Sequence, residues 1–323
     1  MSRTSRIAGA VIGMVALTGS LAACGGDSLE QEKGGSGSSG GDGKKGALVV
    51  GSASFTESKV LAELYAQVLG DAGYSTSVTT VKNRELYEPS LEKGEIDVVP
   101  EYAATIAEFL NAKVNGADKA RSEPVASPDA EATVAKLKRL AEPLGLTVLP
   151  AGKAVDQNAF AVSEEFAEKN NLKTLSDLGK SKLEVKIAAG DECEERPFCA
   201  PGLKDTYGID VTGIDPKGVG TPQSKQAVRD GKVELVLTTT TDAVLDGLVF
   251  LEDDKKLQNA DNILPVLNTK DAGAPEISDA LGKLTAALTT EDLAELNRKV
   301  DAERAKPADV AKEYLESKNL IGK

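Results

Sequence analysis

The chain has 323 residues, 38 basic against 51 acidic side chains, a formal net charge of -13, and neither histidine nor tryptophan. An acidic globule with no basic stripe lacks the electrostatic footprint of a nucleic-acid binder. Without imidazole, Ser-His-Asp hydrolysis and the usual histidine-bearing zinc centres are excluded, and no metal or cofactor is expected.

Residues 1–23 place Arg3 and Arg6 ahead of a mostly apolar stretch, the pattern of a signal peptide. The stretch ends in Leu21-Ala22-Ala23-Cys24-Gly25, which resembles the lipobox of bacterial lipoproteins, where the cysteine is diacylated and becomes the mature N-terminus. That resemblance implies a membrane anchor at Cys24 and a location on the outer face of the cell membrane. Losing Arg3 and Arg6 would take the charge from -13 to -15, since the segment holds no other charged residue. Residues 24–46 are Gly, Ser and charged residues with almost nothing apolar to bury, so they read as a flexible tether. No later apolar run approaches the length of a membrane span.

Leu48-Val49-Val50-Gly51 predicts a buried strand. Ser54 and Glu57 follow at capping-box spacing, and the helix behind them carries Val60, Leu61, Leu64, Val68 and Leu69 on one stripe before stopping at Gly73. The unpaired N–H groups of such a helix start, placed above a strand end, suit a carboxylate. Helical and strand patterns keep alternating, which predicts an α/β fold. A weak repeat at an offset of 137 residues sets SLEKGEIDVVPEY (90–102) on AVRDGKVELVLTT (227–239), with Gly94 on Gly231, Asp97 on Glu234 and Val99 on Val236. Two similar lobes follow, whose strand C-termini face a common cleft, where ligands of open α/β sheets gather. With crossings near 150–156 and 239–245, lobe 1 is 47–152 plus 243–323, and lobe 2, 153–242, is inserted in it. Leu281, Leu284, Leu288, Leu293 and Leu296 recur at helical spacing and are expected in the core of lobe 1.

Cys193 and Cys199 are the two cysteines besides Cys24. In an exported chain they read as a disulfide pinning a short loop, a constraint of about 2 kcal/mol; a thiolate metal site would need more ligands. The run Asp253-Asp254-Lys255-Lys256 reads as solvated charge, and Glu101 as a solvated or helix-start carboxylate.

Three runs, GSASFTESKVLAELYAQVL (51–69), SLEKGEIDVVPEYAAT (90–105) and ECEERPFCAPGL (192–203), together resemble the substrate-binding proteins of osmoprotectant ABC importers. That family takes up glycine betaine, choline, carnitine and related quaternary amines, and the likeness extends over nearly all of 47–323. It implies a two-lobed periplasmic-binding-protein-like clamshell of type II, a monomer without catalytic residues, working with a membrane permease and an ATPase on a small osmolyte. In the family a trimethylammonium group sits in a box of aromatic rings, each worth about 0.5 to 2 kcal/mol of cation–π attraction.

Tyr102 holds the place of one family ring and Thr105 that of a hydrogen-bonding threonine, so Pro100 is expected to end the strand and turn Tyr102 into the cleft. Phe55 matches an aromatic before Thr-Glu, with Ser54 beside it and Ser58 replacing a frequent glutamine. Asn158 stands where a tyrosine is common, and the Thr239, Thr240 and Asp242 stretch stands where another is; Asp242 is a candidate counter-charge for a ligand cation. Hydroxyls and an amide in place of rings leave a polyol or sugar-like solute as the alternative ligand. A lipid-anchored sensor is the alternative to a transport subunit, and carboxylate-only hydrolysis the alternative among enzymes.

Overall fold

The structure, a computed structural model, describes residues 45–322. The expected signal peptide, Cys24 and all of the tether before residue 45 lie outside the described residues. The first sheet contains β1 (Ala47–Ser52), β2 (Ser75–Thr80), β3 (Val98–Tyr102) and β4 (Leu146–Val148). The second is built from β5 (Asn158–Ser163), β6 (Glu184–Ala189), β7 (Asp210–Pro216), β8 (Leu235–Thr239) and β9 (Leu248–Leu251). The chain then returns to the first sheet as β10 (Ile263–Asn268). The strand orders are β2-β1-β3-β10-β4 and β7-β6-β8-β5-β9. In each, three strands run parallel, and the fourth joins them antiparallel and pairs antiparallel with the fifth.

The repeat is structural. Adding 137 to the bounds of β1 and β3 gives 184–189 and 235–239, the bounds of β6 and β8. Even a side-chain bond recurs: Asp97 Oδ2 accepts from the Val49 N–H at 2.6 Å, and Glu234 Oε2 accepts from the Lys186 N–H at 2.7 Å. Gly94 (φ 74°) and Gly231 (φ 65°) both turn the chain through the left-handed region into these strands, where a Cβ would be strained.

Helices α1 (Thr56–Asp71), α2 (Arg84–Lys93), α3 (Ala103–Asn115) and α4 (Ala130–Ala141) belong to lobe 1, and α5 (Pro222–Arg229) to lobe 2. The chain ends through α6 (Pro275–Ala287), α7 (Thr290–Asp301) and α8 (Pro307–Ser317). The stripe of α1 is buried against Leu281, Leu284, Leu288, Leu293 and Leu296, as its periodicity predicts, while α3 and α4 bury Ile106, Leu110 and Leu137 in a separate cluster with β4 and β10. All five residues of β3 are buried, as befits a strand covered on both faces. No helix of the described residues is long and apolar enough to cross a membrane.

Three expectations need correcting. Pro100 does not end its strand: β3 runs through it to Tyr102, and Pro100 lies opposite Pro265 of β10. Opposed residues of an antiparallel pair exchange both hydrogen bonds or neither, so two prolines, neither with an N–H, can face one another where no bond is required. Lobe 2 also extends past residue 242, because β9 covers the edge of β5, with Phe160 opposite Leu251. The return crossing therefore lies between 251 and 263, beside the outgoing one, to which a Val155–Asn262 bridge joins it. Finally, Asp253 is not simply solvated: it accepts from the Tyr207 hydroxyl and from the N–H groups of Leu257 and Gln258. Cys193 and Cys199 form a disulfide and are buried.

Candidate functional site

A cleft of about 680 Å³ opens between the two lobes. Lobe 1 contributes Phe55, Thr56 and Glu57 at the start of α1 and Asn297, Arg298 and Asp301 of α7. Lobe 2 contributes Lys225 and Arg229 of α5 and Thr238, Thr239, Thr241 and Asp242 at the end of β8, while Asp156 reaches in from the outgoing crossing.

The start of α1 determines what Glu57 does. Phe55 takes the N-cap position in an extended conformation, without a side-chain cap. The Ser54 hydroxyl donates instead to the Lys82 carbonyl at 3.1 Å, and Ser58 Oγ accepts from the Ala53 N–H at 2.8 Å. The capping box suggested by the Ser54–Glu57 spacing is therefore not formed, which frees the Glu57 carboxyl to turn inward. Its Oε1 accepts from the Tyr102 hydroxyl at 2.8 Å and its Oε2 from Asn297 Nδ2 at 2.6 Å. Asp156 lies within hydrogen-bonding reach, its own Oδ1 accepting from the Thr241 hydroxyl at 2.8 Å.

Burial first, and the Asp156 charge second, push the Glu57 carboxyl up to about 8. Burial raises Asp156 as well. Two carboxyls this close cannot both ionise cheaply, so the pair holds a proton at neutral pH. Burial and the neighbouring Glu57 charge push the Tyr102 phenol well above its usual range, which keeps it a donor.

The cations nearby are committed elsewhere. Arg84 grips Glu101 through Nε and Nη2 at 2.7 and 2.6 Å, and the Tyr87 hydroxyl donates to the same carboxylate at 2.6 Å. Glu101, expected to be solvated or at a helix start, is thus wholly buried in an ion pair. Lys225 holds both oxygens of Asp242 at 2.8 and 2.9 Å.

Of the nine candidate ligand residues, the structure brings Phe55, Thr239 and Asp242 to the cleft. Phe55 is 49 % exposed, with its ring centroid 6.3 Å from that of Tyr102. Tyr102 is only 9 % exposed and sits in the layer behind, where it braces Glu57; Ser54 and Ser58 are tied to the backbone as described. Asp242 already has its counter-cation in Lys225. The other three lie at the crossings: Thr240 donates to the Val155 carbonyl, Thr105 binds the Asp261 carboxylate through its N–H and hydroxyl, and Asn158 donates to Gln258.

Sequence reasoning missed Asp156, Asn297 and Lys225 as cleft residues and gave Glu57 a different task. Asn297 stands 240 positions from Glu57, and no local pattern joins them. A usable signal did exist in the helical stripe of α7, whose turned-in polar residue is an amide among leucines.

The family described as "Substrate binding domain of ABC-type glycine betaine transport system" matches residues 46–317. The glycine-betaine-binding protein of Pseudomonas aeruginosa is 26% identical over 289 residues, covering 85% of this chain and 88% of that protein. The carnitine transport binding protein OpuCC of Listeria monocytogenes is 23% identical over 289 residues, covering 87% and 90%. Among solved structures, apo YehZ from Escherichia coli superposes with a TM-score of 0.72 at 25% identity, covering 85% of this chain and 99% of that one. A glycine betaine/carnitine/choline ABC transporter structure gives 0.73 at 20% identity, with 85% and 100% covered, and supports the two-lobed fold.

Proposed function

Since the chain belongs to the family of substrate-binding domains of ABC-type glycine betaine transport systems, we propose that its own solute is a quaternary-amine osmolyte held in the interlobe cleft. The observation that carries this reading is the pairing, within one cleft, of an exposed aromatic ring, Phe55, with the carboxyls of Glu57 and Asp156. A quaternary cation donates no hydrogen bonds, so it is recognised by ring faces and by negative charge. Phe55 and Thr239 meet it from opposite lobes, and Tyr102 acts through Glu57.

Ligand touching both lobes stabilises the closed arrangement over the open one, and closure is a population shift of that size. The closed form then presents its surface to the permease, whose ATPase drives uptake. The protein works outside the cytoplasm as a monomer, held to the membrane through lipid on Cys24. Loss of labelled-palmitate incorporation in Cys24→Ala checks the anchor.

The deciding experiment is isothermal titration with glycine betaine, choline, carnitine and proline, alongside sugars and polyols. Heat from a quaternary amine, weakened by about 1 to 3 kcal/mol in Phe55→Ala, is the expected outcome. Heat from polyols alone would assign the cleft to the hydroxyls of Thr239 and Thr241 instead.

A further inference from the structure

The geometry points to a proton-exchanging subsite formed by Glu57, Asp156 and Asn297, which takes the solute's positive charge together with the hydroxyl beside it and releases a proton as it fills. The inference rests on the proposed function and narrows it. The preferred solute class is a net cation bearing a hydroxyl, an amino alcohol of the choline type, rather than a carboxylate-bearing zwitterion such as glycine betaine.

Two independent observations meet here. The first is the carboxyl pair on the cleft wall, with no ion-pair partner among the described residues. The second is Asn297, 8 % exposed and also on the cleft wall, whose Oδ1 is buried without a hydrogen-bond partner. A buried acceptor left unpaired costs free energy that a donor in the right place recovers. Three acceptor groups, with Asn297 Nδ2 already spent on Glu57, suit a ligand end that brings positive charge and an O–H.

Every element around the pair agrees. On β3, Tyr102 donates to Glu57, and Glu101 is neutralised by Arg84 of α2. On α7, Arg298 is bound to Glu295 and Glu303, and Asp301 accepts from the Thr56 hydroxyl. After β8, Thr241 donates to Asp156, and Asp242 is held by Lys225 of α5. Arg229, the remaining cation of the cleft, donates to Gln226 and to the carbonyls of Leu245 and Asp246. A solute cation is therefore the counter-charge that the pair lacks. On its arrival the carboxyl O–H bond breaks, the proton leaves to solvent, and both carboxylates stay ionised.

The sign follows from the Glu57 carboxyl, which is pushed up to about 8. Below that pH, cation binding must displace a proton, so affinity for choline rises by about tenfold per pH unit from pH 6 to 8 and levels off above. The test titrates choline, tetramethylammonium and glycine betaine into the full chain in a maltoside detergent. Runs at pH 6, 7, 8 and 9 use buffers of different ionisation enthalpy, so that released protons are counted directly. The expected result is about one proton released per choline at pH 7, choline binding at least about tenfold tighter than glycine betaine at pH 8, and tetramethylammonium between them.

Both Glu57→Gln and Asp156→Asn should flatten the pH profile and abolish proton release, with far-UV circular dichroism confirming that they fold; the proton count on the unmodified chain needs neither variant. Glycine betaine binding as tightly as choline, or a choline affinity constant from pH 6 to 8 with equal heats in all buffers, overturns the subsite and leaves the proposed function standing. No heat from any quaternary amine at any pH overturns both.

Discussion

The two lobes share one strand order and one offset, yet the ends of their equivalent strands hold opposite chemistry. At the end of β3 stand Glu101 and Tyr102, sealed by Arg84 and Tyr87 into a buried network. At the end of β8, 137 positions on, stand Thr238, buried with its hydroxyl on Asp242, and the half-buried Thr239 on the cleft wall, with Asp242 tied to Lys225. In both lobes a cation on the helix before the strand neutralises an acid at or just after its end. The sheet interiors hold to a common plan because register and packing demand it. The strand ends have diverged, one into a rigid wall and the other into a polar face.

The comparison is broken most severely at Glu101. Glu101→Ala removes a wholly buried carboxylate and leaves the half-buried Arg84, which cannot lose its charge, and the Tyr87 hydroxyl without their partner; it should cost about 3 to 5 kcal/mol of unfolding free energy. Asp242→Ala strands Lys225, which is buried too, but a lysine can shed its proton where an arginine cannot, so the cost should be only about 1 to 3 kcal/mol. Urea denaturation of the two variants measures the difference, and equal costs would mean that the two ends are built alike.

Next comes the pH dependence that Glu57 places in lobe 1 alone. Its carboxyl is raised from 4.5 to about 8 in the folded chain, so between those values the folded state keeps a proton that the unfolded state loses. Stability contributed through this group is present below pH 4.5 and is lost as pH rises toward 8, by up to about 1.4 kcal/mol per pH unit. Glu57→Gln should flatten that decline in melts recorded from pH 5 to pH 8.

The smallest effect sharpens the likeness itself. Asp97 and Glu234 make the same bond to equivalent strands, but Asp97 is buried and Glu234 only half-buried. Removing the carboxylate should cost about 1.5 to 3 kcal/mol at Asp97 and about 0.5 to 1.5 at Glu234. A reversed order in chemical denaturation would contradict the burial argument.

Much of the fold was legible because it is written locally. The stripe of α1, the leucines of α6 and α7 and the repeated strands follow from periodicity. The lobe boundary was misplaced because β9 is four residues long and owes its place to β5, a long-range pairing. The cleft was legible only in outline. Phe55 and Thr239 sit at strand and helix ends, where a ligand site is expected, whereas the Glu57–Asp156–Asn297 cluster joins three segments that no short window contains. Asp242 misled for the same reason, since its partner Lys225 lies on another element. Pro100 misled because its tolerance depends on Pro265, which stands opposite it only in the folded sheet.

The position of β10 also bears on the order of assembly. In the first sheet β10 lies between β3 and β4, so β4 has no strand to pair with until residues 263–268 have been made. The five strands of the second sheet run consecutively from 158 to 251 and need nothing downstream. As the chain emerges from its N-terminus, the inserted lobe is the first that can be complete, and the lobe that begins the chain stays split along its middle until nearly all of it has appeared. The facing prolines then act as a stop for the latecomer: a slip of β10 by one residue would set a proline where the ladder requires an N–H, a loss that the native register avoids.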